Sequence, residues 1–384
     1  MDRLAFFGDN KQINLFDKGS VKQLTYPLVE GDSSPSLWPT WSSDGQWIAY
    51  FQPLHEMAPA RLCIAQVNGM DMMVLAEMRD RQPIYIHWSP TGKHLAVVEQ
   101  SQVGLQLIVY PVNGSDPIVL DDGAPIFFEW LENGTGIVAH VVHPIHRTSR
   151  IQFYSLEEST TDWVISEDSG GFCTPLFQNG KLLYAEQING LTHVKTMSLA
   201  TEEEETLCAL GGVLSLQPRP FHNSLAIGVT GPQPTLKKGV QLLDLDTGDL
   251  TPITTDSDER LSWQSMFWSP DGNKLLLSAV NGAQRWLEWQ LWTEEKGHEV
   301  INQFMPTREQ LFFLHFFDQF SVSHKIVSGD SQHFYFSAYE SPHQRVEFSP
   351  RPWVFKGKLK ASSEFEAIEH GLFPAVEHPL HSEA

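Results

Sequence analysis

The chain has little of what would place it in several large classes of protein. Only three of its 384 residues are cysteine. Cys63, Cys173 and Cys208 cannot close a disulfide framework and show no close metal-ligand spacing, so they are expected to be buried thiols in a reducing compartment. Basic residues are also scarce: 26 Lys and Arg stand against 47 Asp and Glu, a formal charge of −21. That charge repels phosphate backbones and anionic membrane surfaces, and no basic stripe offsets it, so no nucleic-acid partner is expected. The longest apolar stretch, Leu311 to Phe317, is interrupted by His315. It falls far short of the ~18 residues of a spanning helix, and no membrane insertion is expected. The first ten residues lack a basic segment followed by an apolar one, so the expected location is the cytoplasm.

Reaction motifs are missing too. The nearest approach to a nucleophile elbow, Gly329-Asp330-Ser331-Gln332-His333, lacks the closing glycine. Gly92-Lys93 is followed by His94 rather than Ser or Thr, and no His-Glu-x-x-His helix occurs. Neither a catalytic residue nor a cofactor is expected.

What the chain does have is a repeat. Trp41-Ser42-Ser43-Asp44-Gly45, Trp88-Ser89-Pro90-Thr91-Gly92 and Trp268-Ser269-Pro270-Asp271-Gly272 each precede a short aliphatic strand. Pro presets φ for a turn, Asp bonds the local backbone and Gly accepts positive φ, so Asp44, Gly45, Pro90, Gly92, Pro270, Asp271 and Gly272 mark hairpins. Weaker copies close at Gly134, Gly180, Ser224 and Ser331. The period of ~40 to 50 residues, with two further strands between hairpins, predicts four-stranded antiparallel blades in an all-β propeller.

The ends suggest how the ring closes. Leu4 to Phe7, Ile13 to Phe16 and Val21 to Thr25 read as three strands without a first, and residues 371–379 read as a first strand without a second. One domain, 1–384, is therefore expected, with 1–32 and 371–384 sharing the closing blade, His381 at its turn, and 303–320 inserted in the ring. Eight blades are preferred, with seven if either terminus lies outside.

The Trp-Ser-Pro-Asp-Gly turn and the Gln23-Leu24-Thr25 strand ending resemble the repeats of TolB-like propellers and of the dipeptidyl peptidase IV and prolyl oligopeptidase family. The resemblance implies a propeller with a central channel, used for protein contacts in the TolB branch and to gate a hydrolase domain in the peptidase branch. No hydrolase domain fits in this chain beside the repeats.

Two clusters invite functional readings. His140, His143 and His146 are the weak candidates for a metal site, but strand alternation separates His140 from His143 and no metal is expected. The interval before Ser331 is longer than the period and phenylalanine-rich. Phe312, Phe313, Phe316, Phe317, Asp318 and Gln319 are its candidate partner-binding residues, if the rings are exposed rather than folded over their own blade. As part of a first strand, Asp318, Gln319 and His324 should bring a hydrogen-bond network into an apolar setting. The preferred reading is a non-catalytic scaffold for a protein or peptide. The alternatives are an enzyme or a small-molecule or metal binder at the channel mouth, and a propeller that gates a separate hydrolase.

Overall fold

The structure is a computed structural model. It describes all residues except 1–2, 28–33, 55–59, 101–103, 144, 147, 158, 168, 170–172, 231–238, 255–260, 282–285, 341–350 and 378–384. Turn signals spaced through alternating apolar runs give five consecutive four-stranded antiparallel sheets, over 37–78, 82–123, 126–167, 176–210 and 213–252. The remaining strands join in one order: Leu261–Trp268, Leu275–Asn281, Leu287–Thr293, Gly297–Pro306, His333–Glu340, Trp353–Lys358, Glu366–Val376, then Leu4–Gly8, Ile13–Asp17 and Ser20–Gln23. No helix among the described residues is long and apolar enough to cross a membrane.

The hairpin motif is visible atom by atom. Ser42 Oγ donates to Asp44 Oδ1 at 2.6 Å and accepts from Trp47 N at 2.9 Å, and Ser269 does the same with Asp271 and Lys274. Gly45, Gly92 and Gly272 all have φ near +70°, the left-handed region that favours glycine. The tryptophans have a further role. Trp41, Trp88, Trp130 and Trp268 each donate their indole N–H to a carbonyl of the preceding sheet, at Ala375, Thr40, His87 and Gln217, over 2.8, 2.9, 3.3 and 3.1 Å. Each motif thus ends its own first strand and ties it to the neighbouring blade.

The termini meet inside a sheet. Leu4 pairs with Val376 and Gly8 with Gly371, while His370 at the other half of the same strand pairs with Trp353. The strand Glu366–Val376 is therefore last in one group and first in the next. Pro379 and His381 lie outside the described residues.

Two details of the sequence reading are corrected. In the fifth repeat the turn closes at His222, not Ser224. The bonds Arg219 N to Ser224 O and His222 N to Arg219 O reproduce Ser89 N to His94 O and Gly92 N to Ser89 O. Pro220 takes the place of Pro90 rather than of the tryptophan, which shifts the register by two. The phenylalanine-rich segment is not strand. After Pro306 come two helices, α1 (Arg308–His315) and α2 (Phe317–Ser323), and the first-strand place beside His333–Glu340 is held only by Met305–Pro306 and an isolated bridge, Val327 to Phe334.

Candidate functional site

The helices form because their sequence caps and spaces them. Thr307 is the N-cap of α1 and accepts from Gln310 N at 2.9 Å, with Glu309 in the first turn. Phe313, Leu314, Phe317 and Phe320 recur at helical spacing and are buried.

Their position decides what the centre of the ring can do. Helix α2 touches Gln82–Trp88, Ile126–Trp130, Val213–Pro218 and Leu261–Trp268, each the first strand of its sheet. These strands have a free edge toward the channel, where backbone groups need partners. Gln319 supplies them. Its Oε1 accepts from Phe128 N at 2.8 Å and its Nε2 donates to Phe128 O at 3.0 Å, so one buried amide pairs with a strand edge as a neighbouring strand would. Tyr85 Oη donates to Gln319 O at 2.9 Å, and Gln217 Nε2 donates to Ser321 Oγ at 2.7 Å. The channel is filled by the chain's own helices.

Aromatic rings complete the filling. Trp38 and Phe373 sit at β-bulges in first strands, each followed by proline, with φ of +56° and +52°. The left-handed backbone costs a bulky residue ~1–2 kcal/mol. Here it turns both rings to one place: their centroids are 3.8 Å apart, and Trp38 stacks on Phe320 at 5.1 Å.

No family model matches the sequence, and no curated protein matches it. Solved structures match through the fold. A prolyl endopeptidase shares 14% identity at a TM-score of 0.58, covering 91% of this chain and 50% of that one. The β-propeller domain of the Trilobed protease from Pyrococcus furiosus shares 9% at 0.53, covering 88% and 98%. The fold is a β-propeller. An oligogalacturonate lyase from Vibrio parahaemolyticus also matches, with 14% identity and a TM-score of 0.53 over 88% of this chain and 85% of that one. The chain spans half the length of the prolyl endopeptidase it matches. The resemblance read from the hairpin motif holds at the level of fold.

In the propeller, the six nominated residues of the insertion divide. Phe313, Phe317, Asp318 and Gln319 are buried in the channel, with Phe313 stacked on Phe267 at 5.7 Å. Burial pushes the Asp318 carboxyl up to about 6, against the pull of the Gln319 N–H. Phe316 is half-buried, and Phe312 is 42% exposed beside Leu311 at 47%. Arg308 and His315 are exposed on the same side of α1, at i and i+7. Of the network expected around Asp318, Gln319 and His324, Gln319 is the centre and Asp318 Oδ1 accepts from Gln319 N at 3.0 Å, but His324 Nε2 is buried without a hydrogen-bond partner.

The opposite mouth, at the hairpin-turn end, is polar. His87 and Glu129 occupy the same place in adjacent blades, one residue before Trp88 and Trp130, with His87 Nδ1 4.0 Å from Glu129 Oε1. Their side chains are 12% and 13% exposed. Lys325, just beyond α2, is exposed and donates to Ser321 O at 2.8 Å. Desolvation pushes Glu129 up to about 7, opposed by the Trp130 N–H and by Lys325. Desolvation and then Lys325 pull His87 down to about 3, and Lys325 is itself lowered by burial with Glu129 opposing.

The histidine cluster does not converge. His140 is buried, with Nε2 2.8 Å from Ser169 Oγ and Nδ1 3.0 Å from Cys173 O, whereas the half-buried ring of His143 lies 4.8 Å from the exposed ring of His146. Among the described residues no group of three or more His, Cys, Asp or Glu side chains is placed to hold a metal ion.

Sequence reasoning missed both mouths' key features. Thr307-x-x-Gln310 is a capping-box signal for α1, and Leu37-Trp38-Pro39 with Leu372-Phe373-Pro374 is a repeated bulge signal. His87 and Glu129 carried no signal until the ring brought adjacent blades together.

Proposed function

We propose that residues 1–384 form one eight-bladed, non-catalytic cytoplasmic propeller that binds a protein or peptide through the mouth covered by α1. In this reading, 1–32 and 371–384 make the closing blade. One observation carries the proposal: Leu311 and Phe312 are exposed on a helix whose other apolar residues are anchored in the channel. Such a helix is a rigid apolar platform, flanked by Arg308 and His315 and held without the entropy of a free loop. Gating of a separate hydrolase through the ring is disfavoured, because the channel is filled by α2 and its hydrogen bonds.

The test is affinity capture from the host's lysate with quantitative mass spectrometry, comparing wild type with a Leu311→Asp/Phe312→Asp double variant. A partner retained by wild type and lost by a variant of unchanged unfolding midpoint supports the proposal. Equal capture by both, or none by either, overturns it. Elemental analysis of the same eluate separates the metal-binding alternative.

A further inference from the structure

Six of the sheets end at the rim in an outer strand with no strand beyond it among the described residues. Such an edge presents unpaired backbone N–H and C=O groups, and native sheets guard it with charge, proline or shortness. Five of the six are guarded in this way. Ser20–Gln23 is four residues long and carries Lys22, and Leu250–Pro252 is three and ends in proline. Ile118–Gly123 holds Asp121 and Asp122, Trp163–Glu167 ends in Glu167, and Glu204–Leu210 opens with Glu204 and Glu205. The sixth, Met72–Met78, runs for seven residues and has no charge in its first five. Its bulge at Leu75 has counterparts in the other long outer strands and does not set it apart.

Methionine sets this edge apart further. Four of the chain's nine methionines, Met70, Met72, Met73 and Met78, fall between residues 70 and 78. Met70 is 81% exposed on a turn held by its own N–H to Asn68 Oδ1 at 2.9 Å, while Met73 and Val74 are 40% and 42% exposed. Met72 turns inward and accepts from Tyr50 Oη over 3.9 Å. Flexible thioethers beside an open edge adapt to varied apolar side chains, while the backbone fixes the direction of whatever pairs with it. Charge narrows the choice of occupant. Asp71 and Glu77 bracket the apolar run; Asp71 is exposed, and the Glu77 side chain stays 61% exposed although it pairs with Arg61 at 3.2 Å. Beyond the strand Arg79 and Asp80 offset each other, and the whole chain carries −21. A cationic segment is drawn to this rim, and a second copy of the chain is repelled from it. We propose that Met72–Met78 accepts an extended apolar segment of a partner protein, flanked by basic residues, which joins the sheet over 37–78 as a fifth strand. The site lies on the outer rim and does not depend on the surface proposed at Leu311 and Phe312.

The probe is a labelled seven-residue peptide of alternating valine and threonine with lysine at each end and blocked termini. Fluorescence anisotropy with the full chain should show binding that weakens at least tenfold when proline replaces the central residue, and at least tenfold when glutamate replaces both lysines. A Met73→Lys/Val74→Lys double variant, which guards the edge at two exposed positions, should bind at least tenfold more weakly at an unchanged unfolding midpoint. If that variant unfolds, the wild-type protein still answers: peroxide oxidation of Met70 and Met73, read by mass spectrometry, should slow several-fold in the complex, with half-buried Met305 as the internal reference. No binding, equal binding of the proline or glutamate peptide, undiminished oxidation of Met70 and Met73, or a dimer of the chain that the double variant dissociates would each overturn the proposal.

Discussion

Replacing Gln319 with leucine tests whether the channel helices are integral to the ring. The substitution keeps similar volume and removes the amide that accepts from Phe128 N at 2.8 Å and donates to Phe128 O at 3.0 Å. Both groups of Phe128 would then be buried without partners, because they lie on the channel edge of a strand whose other edge is already paired. A buried polar group stranded in this way costs ~1–3 kcal/mol. Two such groups, partly offset by burying a more apolar side chain, give an expected loss of ~2–5 kcal/mol. Guanidinium unfolding followed by tryptophan fluorescence would report it as a lower midpoint at unchanged slope. Gln319→Glu sharpens the test. An ionised glutamate can still accept from Phe128 N but sets its second oxygen against Phe128 O, and protonation restores the donor. The folded state should therefore raise that carboxyl's pKa, so the variant's stability is greatest at acid pH and declines as pH rises. A loss below ~1 kcal/mol for Gln319→Leu, with no pH dependence for Gln319→Glu, would refute the account and show α2 to be a loosely seated insert.

Further outcomes are expected. Phe313→Ala should cost ~3–5 kcal/mol by unfolding midpoint, whereas Phe312→Ala should stay within ~1 kcal/mol, since one ring is enclosed and the other is on the surface. Trp38→Gly should be at least as stable as Trp38→Ala, reversing the usual ~0.5–1 kcal/mol penalty of glycine in a strand, because φ at this position is +56°. Glu129, raised from 4.5 to about 7, disfavours the folded state progressively from pH 4.5 to 7 and fully above, by up to ~3 kcal/mol. Glu129→Gln should therefore be the more stable protein at pH ~8 and lose its advantage near pH ~4.5, measured as the difference in midpoint across a pH series. His140 and His324, both lowered by burial from 6.5 to about 4, act in the other direction: the stability of their neutral folded forms is present above pH 6.5 and is lost as pH falls toward 4. Midpoints at pH ~5 should lie below those at pH ~7.5.

The ring was legible because its information is local. A Trp-Ser-Pro-Asp-Gly turn can be recognised from five residues, and its recurrence dictates four strands per unit. The closing strands were legible for the same reason, since three strands at one end and one at the other complete a unit by count. The contents of the channel were not legible in that way. Phe312 to Phe320 satisfied the composition of a strand, and only the cap at Thr307 and the spacing of Phe313, Phe317 and Phe320 marked a helix. The fifth turn slipped by two because Pro218 and Pro220 both fit a place in the motif. The polar mouth was hidden for a different reason: His87, Glu129 and Lys325 are far apart in the chain, and only the radial arrangement of blades brings them together.

The pairing of Leu4–Gly8 with Gly371–Val376 joins two strands more than 360 residues apart in the chain. Arg3 ion-pairs with Glu377 and donates to Gly45 O, so the first and last parts of the ring are also clasped by side chains. A permuted gene that links these ends and begins instead within the two-residue turn Asn179-Gly180 would encode the same set of sheet pairings in a different order. It would, however, move the discontinuity from inside a sheet shared by both ends to an ordinary hairpin. In the natural order that sheet cannot be completed until both Leu4–Gly8 and Gly371–Val376 have been made. The permuted order would remove that dependence from the closing blade and transfer it to another, making the order of assembly a property of where the chain is cut rather than of the fold.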